Sequence, residues 1–319
     1  MEKINKLKKL LKNNNLDGYL IPKNDEFFGE YVPDNKDNLK FISGFTGSYG
    51  FALILKNKNY LFVDGRYSIQ AKIQSNKKFN IKIIPSQLPQ SVLQDLKLNI
   101  GFDPKLHTER LLFRLFHKTS CKLVPVNKNL VELVRKNNKK NKVKKFFFLE
   151  KKIAGEGYKS KINCLLLKLK KKKVDLQFVT APENVAWLLN IRGGDSKFTP
   201  LPNSYLFVKK NGEVILFCDL NKVDINFKNN FKKIEFIDIR NIEKNLKNIK
   251  NKIIQIDSNS CSFFFKKIIG ENNKIVDIED PIYFLKSIKN KIEITNTVKT
   301  HICDGAALTK FLIWLKKIF

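Results

Sequence analysis

The residues best suited to chemistry in this chain are few and scattered. Only three histidines occur, His107, His117 and His301, and none stands in a His-x-x-x-His or Glu-x-x-His spacing that sets two ligands on one helical face. His301 and Asp304 are three apart, as helix neighbours are. A pair still falls short of the convergent carboxylates and histidine that a two-metal hydrolytic centre needs. No metal ligand and no catalytic residue is therefore assigned. The five cysteines, Cys121, Cys164, Cys218, Cys261 and Cys303, are odd in number and widely spaced, with no Cys-x-x-Cys pair for zinc or redox work. Reduced, mostly buried thiols are expected. There is no Gly-x-Ser-x-Gly elbow. The turns Gly44-Phe45-Thr46-Gly47 and Arg192-Gly193-Gly194-Asp195 lack the spacing of a phosphate cradle and read as structural.

Asp64-Gly65-Arg66-Tyr67 is the one constellation with a plausible binding role. An arginine leaving a strand into a glycine-containing turn can project from the surface and grip a carboxylate with two parallel hydrogen bonds. Asp64 and Arg66 can equally pair with each other and set the shape of the turn. Both readings stay open at this point.

The elements that would position these residues occur twice. A lysine-rich helix over 2–14 leads to the strand-like Leu16 to Pro22, and a second around Lys161 to Lys173 leads to Val174 to Thr180. Hairpins follow at Gly50 to Tyr67 and Ser204 to Val223, with Asn211-Gly212 a strong turn signal. Asn80 to Pro85 matches Lys233 to Ile239, Asn99 to Pro104 matches Ile253 to Ser258, and Lys122 to Asn127 matches Lys274 to Glu279. Asp17 and Asp175, Asp103 and Asp257, and Val124 and Val276 recur at near-constant spacing. Each copy combines a central hairpin with strand–helix steps, which predicts a mixed α/β sheet flanked by helices. Arg135 to Lys152 reads as a basic linker, with Phe146 to Phe148 docking it. Beyond the second copy, apolar residues at Ile294, Val298, Ile302, Leu308, Phe311, Leu315 and Phe319 predict a long helix with one buried stripe. No capping residue follows, so a further domain is expected beyond Phe319.

Composition bounds the rest. The 319 residues suit two domains rather than one, and a 43% hydrophobic content with 26 Phe is enough for real cores. Sixty-one Lys+Arg against 30 Asp+Glu leave a formal charge of +31, which attracts polyanions in general. The excess is lysine spread along the chain rather than an arginine patch. Specific nucleic-acid binding is therefore the third reading. With no continuous apolar segment of spanning length, no membrane association and a cytoplasmic location are expected.

Taken together, FISGFTGSYG (Phe41 to Gly50), LFVDGRYSIQA (Leu61 to Ala71), TAPENVAWLLNIRGGD (Thr180 to Asp195), KSIKNKIEI (Lys286 to Ile294) and THICDGAAL (Thr300 to Leu308) resemble the Xaa-Pro aminopeptidase, or aminopeptidase P, family, in order and spacing along essentially the whole chain. The resemblance implies two creatinase-type N-terminal domains, at 1–130 and 153–284, joined by a basic linker at 131–152. Residues 285–319 would begin a pita-bread catalytic domain. It further implies a dimeric cytosolic metallopeptidase that removes a residue preceding proline, with two divalent metals, typically manganese, held by residues beyond Phe319. No cofactor is expected in this chain. Arg66, Asp64 and Tyr67 become candidates for the substrate mouth, since the family's first domain helps form it. The competing readings are a free-standing interaction or regulatory module without peptidase activity and the lysine-rich nucleic-acid binder.

Overall fold

The computed structural model describes residues 2–135 and 143–318. The lysine-rich centre of the proposed linker, 136–142, and Phe319 of the terminal stripe lie outside the described residues.

The chain opens with α1 (Glu2–Asn13), which buries Ile4, Leu7 and Leu11, residues that helical periodicity places on one face. The first sheet consists of β1 (Gly18–Pro22), β2 (Gly50–Leu55), β3 (Asn59–Asp64), β4 (Asn80–Ile84), β5 (Asn99–Phe102) and β6 (Lys122–Pro125), in the order β4-β3-β2-β1-β5-β6. Only β2 runs against the others. Its flanking helices are α2 (Asn38–Ser43), α3 (Ser68–Ser75), α4 (Gln90–Leu93), α5 (Glu109–Phe116) and α6 (Leu130–Arg135). Tyr19, Ile21, Ala52, Ile54, Leu61 and Val63 pack under α1, α2 and α6, while Leu20, Leu53, Phe62 and Phe102 meet α4 and α5 on the opposite face. Burial on both faces is why these strands are apolar throughout rather than alternating. Helix α2 ends at Gly44, whose left-handed φ of 80° and the Gln74 carbonyl, 2.8 Å from where a Cβ would stand, both require glycine.

The segment into the second half forms β7 (Phe147–Phe148) and α7 (Lys151–Ala154). Phe146 is 4% exposed inside the second core, whereas Phe147 is 50% exposed. Then come α8 (Tyr158–Lys171), β8 (Leu176–Val179), α9 (Pro182–Leu189), β9 (Ile191–Arg192), β10 (Ser204–Lys209), β11 (Val214–Cys218), α10 (Ile225–Asn229), β12 (Ile234–Asp238), α11 (Ile242–Asn248), β13 (Ile253–Ile256), α12 (Phe263–Gly270), β14 (Lys274–Asp277), α13 (Pro281–Ser287) and α14 (Lys291–Ile318). The second sheet runs β12-β11-β10-β8-β13-β14, and again one strand, β10, opposes the rest. The two halves share one topology, as the repeated motifs predict. A short ribbon of β7 on β9 ties the docked phenylalanines to the second domain.

The copies differ inside. Across the central parallel pair, Tyr19 faces Gly101 in the first sheet and Gln177 faces Gln255 in the second. A Cβ on Gly101 would meet Leu16 at 2.5 Å and the Tyr19 ring at 3.0 Å.

Two expectations need correction. The thiols are free but not mostly buried: Cys218 and Cys261 are buried, Cys121 is intermediate, and Cys164 and Cys303 are exposed. Cys164 lies off the stripe Lys161, Ile162, Leu165 and Leu169 that α8 buries. The terminal stripe is helical as expected, but no residue of α14 is buried. Among the described residues, its hydrogen bonds to the domain lie near its start, where Asn290 and Asn296 donate to the carbonyls of Ala154 and Ile153.

The domains dock through the loops after β5 and β13. The Phe263 and Phe264 N–H groups donate to the His107 and Pro104 carbonyls at 2.7 and 2.9 Å. Phe102 and Phe263 meet edge to face, Lys266 bridges Glu109 and Asp277 at 2.6 and 2.7 Å, and the Tyr205 hydroxyl donates to the Glu26 carbonyl.

Candidate functional site

Asp64 stands at the carboxyl end of β3, where the chain enters a single 3-10 turn, Gly65–Tyr67. Its carboxylate caps that turn by accepting the Arg66 N–H at 3.0 Å, and it also receives the guanidinium, Nε at 3.1 Å and Nη2 at 2.6 Å. The arginine holds Asp64 below the usual carboxylate range, chiefly through that side-chain hydrogen bond. The guanidinium lies 5.2 Å from the Tyr67 ring centroid. Tyr67 in turn bonds Ser48 through its hydroxyl at 2.8 Å and packs on Phe45. So the three candidates form one unit. The Arg66 side chain is nevertheless 71% exposed, and Nη1 has no partner among the described residues. Gly65 has open space around it and no left-handed φ, so the turn does not depend on glycine.

The same brace recurs at the end of β12, where Arg240 donates to Asp238 through N, Nε and Nη2 at 2.9, 2.8 and 2.9 Å. The topological counterpart of Asp64 is instead Asp219, which follows β11 and receives the Asn221 backbone and side-chain N–H groups, both at 3.0 Å. Bracing a turn is thus a device this fold uses more than once. Arg240 projects from the carboxyl end of β12 at least as openly, its side chain 85% exposed, so exposure alone does not set Arg66 apart.

The histidines do not come together. His107 is buried, His117 bonds the Phe113 carbonyl on the surface, and His301 lies on exposed α14. Among the described residues, no group of three or more His, Cys, Asp and Glu is placed to hold a metal ion. A two-metal centre therefore does not fit the described part of this chain. A cleft of about 800 Å3 between the domains is lined by Glu26, Asp103 and Glu132 on one side and Lys222 and Arg240 on the other. Burial raises the pKa of Asp103 and Glu132. A larger groove, lined in part by Arg66, runs along the carboxyl ends of the first sheet past Arg110 and Arg114 of α5. Sequence reading missed α5 as a site element, although the arginines' i, i+4 spacing in ERLLFRLF puts both on the face opposite Leu112, Leu115 and Phe116.

Comparison with known proteins places this architecture. A family model described as the Creatinase/Prolidase N-terminal domain matches residues 3–136, and a second of the same description matches 135–293. The fold is thus a tandem pair of creatinase/prolidase N-terminal domains. A probable Xaa-Pro aminopeptidase P of Laccaria bicolor is 34% identical over 339 residues, taking in 99% of this chain and 51% of the relative. Xaa-Pro aminopeptidase 1 of Dictyostelium discoideum is 30% identical, over 99% of this chain and 53% of its own length. The crystal structure of X-prolyl aminopeptidase from Caenorhabditis elegans, described as a cytosolic enzyme with a di-nuclear active site, superposes with a TM-score of 0.89 at 27% identity, over 99% of this chain and 56% of that one. The chain belongs to the Xaa-Pro aminopeptidase family, and it spans about half the length of the curated relatives it matches.

Proposed function

We propose that this chain is the non-catalytic amino-terminal region of an Xaa-Pro aminopeptidase-like metallopeptidase that, in the longer protein, releases an N-terminal residue preceding proline. The observation that carries this reading is the coverage: 99% of the chain aligns with relatives of which it spans 51 to 53%. In this reading, 1–130 and 153–284 are the creatinase-type domains, 131–152 joins them, and 285–319 opens the catalytic half. The two divalent cations, proposed as manganese, belong to that half. A cytoplasmic dimer acting on peptides with proline second is part of the same proposal. The worm enzyme's cytosolic description supports the location, and no helix among the described residues is long and apolar enough to cross a membrane.

Two measurements test it. The purified 319-residue chain supplied with manganese is expected to leave an Xaa-Pro peptide uncleaved, because several convergent carboxylates are needed to hold two cations and activate water. Turnover that co-purifies with the chain and needs the metal would refute the reading. The second concerns the substrate mouth, to which Arg66, Asp64 and Tyr67 are proposed to contribute. In a full-length enzyme carrying this region, Arg66→Ala is expected to lower kcat/KM about tenfold, equivalent to ~1.4 kcal/mol of transition-state binding, with the thermal midpoint unchanged. Normal kinetics with a lowered midpoint would leave Arg66 as a brace only.

A further inference from the structure

In the first sheet, β1, β3, β4, β5 and β6 all point the same way, and Pro22, Asp64 and Ile84 at their carboxyl ends line one groove of about 1020 Å3. Open α/β sheets take ligands outside the carboxyl ends of their strands, and this volume is at the upper end of what small-ligand sites enclose.

The charges of the groove do not cancel. Lys23 is spent on Asp37 and Arg66 on Asp64. That leaves Arg110 and Arg114 against Glu30. Arg110 donates to the neutral side-chain oxygen Oδ1 of Asn259 at 3.0 Å and has no carboxylate among the described residues to neutralise it there. Phe28, Phe51 and Phe113 supply apolar wall.

The floor holds a group without a partner. The His107 Nδ1 lies 2.9 Å from the Asp103 carbonyl, which can only accept, so Nδ1 carries the proton. Burial pushes the imidazole pKa down to about 4, leaving the ring neutral near pH 7. Nε2 is then a bare acceptor, buried, with no hydrogen-bond partner among the described residues. A buried acceptor left unmade costs free energy that a donor would recover.

His107, Arg110, Arg114, Phe28, Phe51 and Phe113 all line this one groove, a set that suits a ligand with N–H groups, carboxylates and apolar side chains together. Inorganic phosphate and a nucleic-acid backbone supply oxygens for the arginines but no apolar side chain for Phe28, Phe51 and Phe113. We propose that this groove is a binding site for an acidic peptide segment, with Arg110 and Arg114 taking its carboxylates and His107 Nε2 taking a backbone N–H. The proposal is independent of the peptidase reading, since binding is read on the chain alone.

The test is fluorescence anisotropy with a labelled Ala-Glu-Ala-Phe-Glu peptide and its glutamine counterpart. The acidic peptide is expected to bind at least tenfold tighter than the neutral one. Arg110→Ala with Arg114→Ala, both exposed, is expected to weaken it at least tenfold without moving the thermal midpoint. Removing equal charge from α8, by Lys170→Ala with Lys171→Ala, is expected to change it less than twofold. On peptide addition the His107 Nε2 nitrogen resonance is expected to move toward its hydrogen-bonded position. Equal losses from the two double variants would reduce the effect to general charge attraction and overturn the proposal. So would equal competition by inorganic phosphate or an RNA oligonucleotide, or a His107 resonance that stays put.

Discussion

Replacing Phe146 with alanine is expected to destabilise the second domain by about 3–5 kcal/mol, the range for truncating a buried aromatic ring. The ring is 4% exposed, packs edge to face near Phe227 and belongs to the core formed by Leu165, Leu188, Val214 and Leu216. Its backbone N–H also donates to the Lys222 carbonyl at 2.9 Å, so the segment is held by main chain as well as by the ring. Phe147→Ala, one residue on and half exposed, is expected to cost less than about 0.5 kcal/mol. Urea unfolding followed by Trp187 fluorescence in a Trp314→Phe background separates the two. Equal effects would mean that the segment does not dock through Phe146.

The stability of the second domain is expected to fall as pH rises from about 4 to 7, and Asp280 is expected to supply a large share. This carboxylate caps α13 by accepting the Ile282 N–H at 2.9 Å and receives Asn184 Nδ2 at 2.8 Å. Asp257 lies close on one side, accepting the Asp280 N–H, and Lys286 approaches through Asn184. Burial is the strongest influence and, with the Asp257 charge, outweighs the two hydrogen bonds and Lys286, pushing the pKa up to about 6. The folded chain thus holds this proton more tightly than the unfolded chain, whose carboxyl titrates near ~4. The stabilisation is complete below that value and is lost as pH climbs through about 6. A rise of roughly two units corresponds to ~3 kcal/mol. Asp280→Asn cannot titrate. Its stability relative to the parent is therefore expected to improve by up to ~3 kcal/mol between pH 4 and 7.5, on top of a constant cost for the altered bond to Asn184. A difference that stays flat across that window would show that the carboxylate titrates normally.

Much of the fold was legible because it rests on patterns a sequence displays. Continuous apolar runs such as Gly50 to Leu55 and Val214 to Cys218 mark strands covered on both faces. The recurrence of helix, strand, hairpin and strand exposes the duplication. Asn211-Gly212 set its hairpin as read, with Gly212 at φ 91°. The losses have separate causes. Domain docking runs through the N–H groups of Phe263 and Phe264 to two carbonyls, and backbone partners leave no residue signature. Lys161 stood in the sequence only as the first residue of a lysine-rich helix. It falls on the buried stripe of α8, where its ammonium finds the Trp187 carbonyl and Asn190 Oδ1 at 3.0 and 2.7 Å over the Trp187 ring. There the signal was present in the spacing, and residue type hid it. At the candidate site, Asp64, Arg66 and Tyr67 are near neighbours in sequence and touch one another in the fold. Sequence had no means of finding His107 and Arg114 in the same groove, because a helix and a loop distant in sequence meet there only after the sheet forms.

The pair at the centre of each sheet bears on how the two copies have changed since they were one. Tyr19 opposite Gly101 fills its layer with a single ring over a bare backbone, while Gln177 opposite Gln255 fills the equivalent layer with two amides of similar reach. Neither solution can be reached from the other by one replacement. A side chain at Gly101 runs into Tyr19 and Leu16, and a glycine at Gln255 opposite Gln177 opens a hole in a packed interior. Each pair is therefore inherited as a unit, and a chimera that swaps strands between the domains keeps its packing only if both members travel together.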